Sequence, residues 1–483
     1  MFHCLSLFFY VLVLALSLTS AARDIATKAA TIPRLETDPL TKLAELVVPY
    51  GYPLDVHNVE TEDGFILTLL RIPHGRADVE AASSAKLRRS VGTAASRPVI
   101  FLQHGLLDSA AGFLVNGPGR SLAFLLADAG YDVWLGNVRG NTLSRSHAFL
   151  DASDARFWQW SYDEMAAYDL PAMMQYALRT SGAPSLRYVG HSQGTTVLLA
   201  ALAGPTGEGR VPSQRASDSD AVAKGAPAVP AGVVERAVLL APVAVAKHIS
   251  SVPLLAMAAM GTDDMFTLMG LHEFLPSQEL VAQLEGRLCV VQPYLCVSFL
   301  AALCGYNPSN LDITRLPLYL GYTPAGTSVQ NMAHWAQAVR ARAPNSMRCF
   351  DFGVNCASFS GRCNQRMYGT IEPPRYNLTA ITTPLAVFTG THDRLSTPLD
   401  LEYLRGGLAA VLLLRSWGHP PCGPGLAGTK CRLPHEPAYW PVGMVLSSGP
   451  LREWSRRALR LRKVLTSCSL RGLYLLPTSA TKG

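Results

Sequence analysis

The chain has 483 residues, of which 49% are hydrophobic and 16% are charged, and its formal net charge is +7. This length and composition can bury a large core and suit one α/β domain that carries an insertion. Part of the positive charge lies between Arg452 and Lys463, where no nucleic-acid motif accompanies it. We interpret residues 421–483 as an atypical basic tail that is solvated, rather than a patch for nucleic acid or an anionic membrane. We expect no nucleic-acid partner.

Residues 1–22 have the pattern of a secretory signal peptide. The stretch from Leu5 to Leu18 is apolar but short for a membrane anchor, and small residues from Thr19 to Ala22 suit cleavage. Only His3 and the terminal amine can carry charge in the n-region, so an uncleaved anchor is the alternative. No other segment has the pattern of a transmembrane helix. The sequence therefore predicts entry into the secretory pathway.

Residues 23–246 are predicted to form the N-terminal part of an α/β core, with surface insertions near 76–96 and 204–232. Both insertions are rich in small and polar residues and poor in large apolar ones. Between them, Val99 to Leu102 is predicted to be a buried strand, and Gln103 to Leu107 is predicted to be the loop after it. The glycine in this loop lets the backbone approach a substrate oxygen, so we predict that the Leu106 N–H is one oxyanion donor.

Gly190-His191-Ser192-Gln193-Gly194 follows the predicted strand Leu186 to Val189 and precedes a helix-like run from Thr195 to Leu202. A serine at the apex of such a tight strand–turn–helix needs glycine two positions to either side. The turn exposes the hydroxyl and makes the next N–H, that of Gln193, a second oxyanion donor. Ser192 is therefore the predicted nucleophile.

Residues 247–376 are predicted to form a helical cap above Ser192. Helix-like apolar runs at Val252 to Met260 and Val281 to Ala302 alternate there with glycine and proline. Residues 377–420 are predicted to return to the core and to carry the remaining catalytic groups. An apolar stripe alone more often belongs to plain core than to an acyl-chain pocket, so this pattern by itself does not establish a lipid pocket.

The chain order of such sites is serine, acid, histidine. Asp393 closely follows the buried-strand pattern Leu385 to Phe388, where open α/β sheets place their sites, and is the predicted acid. His419 follows the strand-like run Val411 to Leu414 and is the predicted base. His435 competes with it but has no strand before it, and His392 is adjacent to Asp393 and poorly placed to reach the serine.

Ten cysteines fit the oxidising compartment that a signal peptide implies. Six of them form two clusters, namely Cys289, Cys296 and Cys304, and Cys349, Cys356 and Cys363. These spacings lack the paired pattern of a structural zinc site, so we predict disulfides and no metal. Asn377-Leu378-Thr379 is the acceptable N-glycosylation sequon, because Asn307 precedes a proline.

Several further motifs carry a resemblance to a known family. They include Pro49 to Pro53, Thr61 to Leu67, Gln103 to Ser109, Gly136 to Thr142, Phe157 to Pro171, Leu240 to Ala244 and Gly326 to Met332. In this order they resemble the acid lipases, the group that contains gastric lipase and lysosomal acid lipase. The resemblance runs from about Leu43 to His419. After His419 the sequence Pro420-Pro421-Cys422-Gly423 departs from the family, and the tail does not resemble it.

The resemblance implies an α/β-hydrolase fold, with a mostly parallel central sheet, flanking helices and a helical cap over the active site. It implies a secreted or lysosomal/endosomal serine lipase that cleaves acylglycerols or cholesteryl esters at a transient lipid–water interface. Ser192, Asp393 and His419 fall on its triad positions, and no metal or organic cofactor is needed. Two alternatives remain: an inactive lipid-binding member of the same fold, which the departure after His419 favours, and an acyltransferase, which shares the first half-reaction.

Overall fold

In a computed structural model of the protein, nine strands of the described residues form one mixed sheet. The model describes residues 38–76, 97–206, 227–260, 270–275, 293–305, 311–341, 347–357, 362–390, 392–408 and 412–416. Two units divide the chain: Met1–Lys42, of which 38–42 are described, and Leu43–Gly483, which holds the sheet. The predicted signal peptide, most of both predicted insertions and the basic tail lie outside the described residues.

The eight longer strands follow the predicted α/β pattern. They are β1 (Asp55–Glu60), β2 (Phe65–Ile72), β3 (Val99–Gln103), β4 (Asp132–Gly136), β5 (Leu186–His191), β6 (Val234–Leu240), β7 (Leu385–Thr389) and β8 (Leu412–Ser416). Their spatial order is β1-β2-β4-β3-β5-β6-β7-β8, and the two-residue strand Ser146–His147 pairs with β2. The pairs β1–β2 and β2–β4 are antiparallel, and the strands from β4 to β8 are parallel.

The described α-helices include the crossovers that parallel strands require. They are α1 (Pro39–Ala44), α2 (Leu122–Asp128), α3 (Tyr162–Glu164), α4 (Leu170–Ser181), α5 (Gln193–Ala203), α6 (Val252–Ala259), α7 (Pro293–Cys304), α8 (Leu316–Leu320), α9 (Val329–Arg340), α10 (Asn364–Tyr368) and α11 (Pro398–Gly407). A π-helical turn, Met165–Asp169, joins α3 to α4. Every residue of β3 and β4 is buried, as expected for strands covered on both faces.

The strands that the sequence predicted around the site are confirmed to within a residue or two at their ends. β3 contains the predicted strand Val99 to Leu102, and β7 contains Leu385 to Phe388. β8 pairs with β7 so that Ser416 lies beside Thr389. Because the parallel strands run in one direction, β3, β5, β7 and β8 all end at one edge of the sheet, and the described loops after β3, β5 and β7 begin there.

A buried charge cluster holds the loop after β4. The Arg139 guanidinium donates to Asp63 at 2.7 Å and to Asp169 at 2.8 Å, and all three side chains are fully buried. Burial opposes the charged form of Arg139, but Asp169 and Asp63 outweigh it and hold its pKa above the ordinary value. Removing one member would leave an uncompensated buried charge, which typically costs about 3–5 kcal/mol. The cluster therefore fixes a loop that contacts the candidate site.

The segment between β6 and β7 contains the predicted helical cap. Helix α6 confirms the predicted run at Val252 to Met260, and α7 covers the later part of the run at Val281 to Ala302, whose first residues lie outside the described part. The two-residue strand Glu273–Phe274 pairs antiparallel with Thr327–Ser328 at the start of α9. None of the described helices is long and apolar enough to cross a membrane.

The predicted disulfides are present in part. Cys356 and Cys363 form one, and Cys296 is also disulfide-bonded. Cys304 and Cys349 are free thiols. Within the described ranges no group of histidine, cysteine and acidic side chains is arranged to hold a metal ion.

Candidate active site

Ser192 lies at the junction of β5 and α5 in a strained backbone conformation. Its φ is 50° and its ψ is −120°, a combination that non-glycine residues rarely adopt. The Ser192 N–H donates to the Leu240 carbonyl at the end of β6, at 2.9 Å. Such strain persists only where the surrounding structure determines it, and it is typical of a nucleophile elbow.

The two glycines of the elbow are required by close backbone contacts. A Cβ on Gly190 would lie 2.9 Å from the carbonyl group of Gly194, and a Cβ on Gly194 would lie 2.5 Å from the Gln103 carbonyl oxygen. Real Cβ atoms essentially never approach other atoms so closely. Close packing within the elbow and against β3 is therefore the reason that these two positions need glycine.

The loop after β3 lies directly against the serine. A Cβ on Gly105 would lie 3.0 Å from the Ser192 Cβ. The buried His104 donates from Nδ1 to the Gly105 carbonyl at 2.8 Å, and its Nε2 accepts from the Val138 N–H at 3.3 Å. Burial lowers the pKa of His104 to about 4, so the ring is neutral and keeps one donor and one acceptor. It ties this loop to the loop after β4.

Of the two predicted oxyanion donors, one directly follows Ser192 in the chain and the other lines the same cavity. Gln193 is the first residue of α5, where backbone N–H groups have no acceptor within the helix. Leu106 lines the same cavity as Ser192. Among the described residues neither backbone N–H has a hydrogen-bond acceptor. Their role as oxyanion donors stays a prediction.

Asp393 is placed in the loop after β7, as the sequence predicted. Its Oδ1 accepts from the N–H groups of Leu395 and Ser396 at 2.8 and 3.0 Å. Burial raises the pKa of Asp393 to about 6, although these two hydrogen bonds favour the ionised form. Asp393 is buried and lines the same cavity as Ser192.

The two candidate bases, His419 and His435, lie outside the described residues. β8 ends at Ser416, shortly before His419 and at the same edge of the sheet as the Asp393 loop. The positional argument for His419 therefore stays a prediction. His392 is exposed and does not line the cavity.

A cavity of about 320 Å³ joins these groups. Its walls are mostly apolar and come from both the core and the cap. The lining residues from α6, α7 and α9 are Leu254, Met257, Ala258, Leu300, Leu303, Cys304, Met332, Trp335, Ala336 and Val339. Apolar faces of three cap helices thus surround a space that opens on Ser192, which suits a hydrophobic substrate group.

Asp108 is a cavity residue that sequence reasoning did not single out. Its Oδ1 accepts from the Ser109 N–H at 2.8 Å and from the Thr323 hydroxyl at 3.3 Å. Burial raises the pKa of Asp108 to about 6, although the two hydrogen bonds favour its ionised form and act to lower the pKa. Its sequence signal was its position in the motif Gln103 to Ser109, directly after the predicted loop Gln103 to Leu107.

One acid–histidine pair, Asp400 and His248, lies away from the cavity. The His248 ring bonds Asp400 at 2.7 Å, and the His248 N–H also donates to this carboxylate. Asp400 is buried at the start of α11, and neither residue lines the cavity that holds Ser192. We interpret this pair as an anchor between α11 and the segment that leads from β6 into the cap helix α6.

The sheet order, the strained serine and the loops that meet at one sheet edge define the class of α/β-hydrolases. Residues 98–213 match the model of the α/β-hydrolase fold, and residues 43–117 match that of the partial α/β-hydrolase lipase region.

Curated relatives identify the family within this class. Gastric triacylglycerol lipase of Rattus norvegicus is 37% identical over 77% of this chain and 83% of its own. Lysosomal acid lipase/cholesteryl ester hydrolase of Homo sapiens is 38% identical over 79% and 86%. Lipase member K of Homo sapiens is 36% identical over 78% and 84%. The chain belongs to this family of acid lipases and is a serine ester hydrolase, as its motifs predicted.

Proposed function

We propose that this lipase hydrolyses acylglycerols or cholesteryl esters at a lipid–water interface, with Ser192 as nucleophile. His419 takes the hydroxyl proton as Ser192 attacks the ester carbonyl, and Asp393 orients the imidazole. The N–H groups of Leu106 and Gln193 hold the tetrahedral oxyanion, each contributing about 2.7–4 kcal/mol to barrier lowering. His419 then protonates the leaving alcohol, and water releases the acyl group by the reverse sequence.

One observation carries this proposal: the strained Ser192 and the buried Asp393 line one apolar cavity, beside two backbone N–H groups that have no acceptor among the described residues. The cavity walls suit the acyl chain, because burying each methylene contributes about 0.8 kcal/mol. The relatives' names extend the likeness to triacylglycerol and cholesteryl esters.

We also propose that the protein matures in the secretory pathway and is secreted or lysosomal. The disulfide between Cys356 and Cys363 supports an oxidising compartment. Asn377 is exposed, and its Oδ1 accepts from the Thr379 hydroxyl at 2.6 Å, so the sequon is accessible to glycosylation.

A substrate panel tests the proposed activity on the purified mature chain. We expect hydrolysis of emulsified long-chain triacylglycerols or cholesteryl esters, and stoichiometric labelling of Ser192 by a fluorophosphonate. The measurements are fatty-acid release across acyl lengths and peptide mapping of the label. Absence of both would indicate an inactive lipid-binding member, whereas acyl transfer to an added alcohol in preference to water would indicate an acyltransferase.

Asp393→Asn is expected to lower turnover by roughly 10⁴, because the amide favours the wrong histidine tautomer. Asparagine keeps an Oδ1 that accepts from the Leu395 and Ser396 N–H groups, so the fold should survive. Steady-state kinetics and the unfolding midpoint are the measurements. Glu402→Gln is the matched control, because Glu402 is an exposed acid. An equal loss in both variants would point to a different acid.

A further inference from the structure

The side chain of Gln193 is held by the cap helix α9. Its Oε1 accepts from the Trp335 indole N–H at 2.6 Å and from the Asn331 amide at 2.9 Å. Gln193 and Asn331 are both buried. The residue that follows the nucleophile is therefore bound through its side chain to a helix far away in sequence.

The chemistry of these contacts determines the orientation of the carboxamide. An indole N–H can only donate, so the Gln193 atom that it contacts must be the carbonyl oxygen. The Gln193 Nε2 lies 3.4 Å from the Met165 sulfur, at the first residue of the π-helical turn. With both ends of the carboxamide engaged, the side chain has a single buried conformation.

Immobilising this side chain also restrains the backbone that carries the predicted oxyanion donor. Gln193 lies between the strained Ser192 and the tightly packed Gly194, where a small rotation would redirect its N–H. A misdirected donor loses most of its effect, because hydrogen bonds weaken steeply as their angle departs from linearity. The side-chain anchor supplies a restraint that the elbow's own turn does not.

Helix α9 contributes to the cavity as well as to the anchor. Met332, Trp335, Ala336 and Val339 recur at helical spacing and line the cavity above Ser192. The start of α9 is itself fixed, because the Asn331 N–H donates to the Ser328 hydroxyl at 2.9 Å. The face that contacts an acyl chain and the residues that hold Gln193 thus belong to one short helix.

We propose that Asn331 and Trp335 are positioning residues for the oxyanion hole. Their hydrogen bonds to the Gln193 side chain orient the Gln193 backbone N–H toward the substrate oxygen. Neither residue touches the reacting carbonyl in this proposal, which rests on the proposed function. An acyl chain packed against α9 stabilises the anchor, and displacement of α9 from the core releases it. The cap is therefore part of the catalytic apparatus as well as a cover.

Two conservative variants test the proposal. Trp335→Phe keeps an aromatic ring in the cavity wall and removes the indole donor, and Asn331→Ala removes the second donor without altering the cavity lining. We expect each to lower kcat by about tenfold with KM changed by less than about twofold, and the double variant to approach the roughly 10²-fold loss of one oxyanion donor. Rates are normalised to active sites counted by the end-point of fluorophosphonate titration, which removes unfolded protein from the comparison.

Inhibitor binding separates positioning from general damage. A long-chain alkyl trifluoromethyl ketone forms an oxyanion on reaction with Ser192, whereas the corresponding alcohol occupies the cavity without one. We expect the Ki of the ketone to rise in proportion to the fall in kcat/KM, with the Ki of the alcohol unchanged. Gln337→Ala is the matched control on α9, because its side chain bonds the Asp351 backbone and does not line the cavity. This variant should behave as wild type.

A double-mutant cycle completes the test. In a Gln193→Met background, which has no carbonyl oxygen to hold, Trp335→Phe should lower kcat by less than about twofold. Unchanged kinetics in both single variants, or equal changes in the Ki of ketone and alcohol, would overturn the positioning role while leaving the lipase mechanism intact. If wild-type protein neither hydrolyses esters nor labels at Ser192, the proposed function itself fails and this inference fails with it.

Discussion

Replacing Ser192 with alanine is expected to lower turnover by about 10⁶, the loss typical of removing a triad nucleophile. The remaining rate would come from the oxyanion donors and from substrate binding alone. Alanine has the same Cβ as serine, so it meets the same strain at φ 50°, and the Ser192 hydroxyl makes no helix-capping bond. We therefore expect the free energy of unfolding to change little.

The measurement is kcat on an emulsified long-chain ester, together with the thermal unfolding midpoint. Ser146→Ala is a suitable control, because Ser146 is an exposed serine on an edge strand. It should keep full activity. Near-normal turnover in Ser192→Ala would rule out the serine mechanism, and a large fall in its unfolding midpoint would leave loss of fold as the cause.

His419→Ala is expected to cost about as much as Ser192→Ala, because triad members act as a unit. The physical reason lies in the sheet: β8 runs parallel to β7, and its last residue Ser416 lies beside Thr389. The chain therefore leaves β8 at the edge where the Asp393 loop begins, and His419 is the first histidine after it. A base at this point would stand near both Asp393 and Ser192.

His435→Ala is the matched comparison and should cost little. The measurements are kcat for both variants and the rate of fluorophosphonate labelling, which also depends on the base. Loss of activity in His435→Ala alone would show that His435, rather than His419, is the catalytic base. Normal rates in both variants would remove both histidines from the mechanism.

Local patterns in the sequence were enough to predict the elements that carry the site. The elbow was predictable because a serine at the apex of one tight strand–turn–helix junction needs glycines at positions 190 and 194, and close contacts with backbone atoms explain both. β3 and β7 were predictable because strands buried on both faces are continuous apolar runs. The parallel order then brings Asp393 to the edge where Ser192 lies, because the carboxyl ends of parallel strands all lie at the same edge of a sheet.

The sequence alone determined four of the strands, β3, β5, β7 and β8, together with the elbow and the loop that carries Asp393, because backbone sterics and apolar patterns act over a few residues. Strands β1, β2, β4 and β6 were not predicted. Only the tertiary structure decided which residues distant in sequence contact each other. Asp108 lines the cavity, Asp400 is hydrogen-bonded to His248, and two side chains of α9 donate hydrogen bonds to Gln193. Periodicity shows that a helix has an apolar face, but it carries no information on what that face contacts. Hydrogen bonds between residues more than a hundred positions apart depend on how the cap and core pack, and no local pattern encodes that packing.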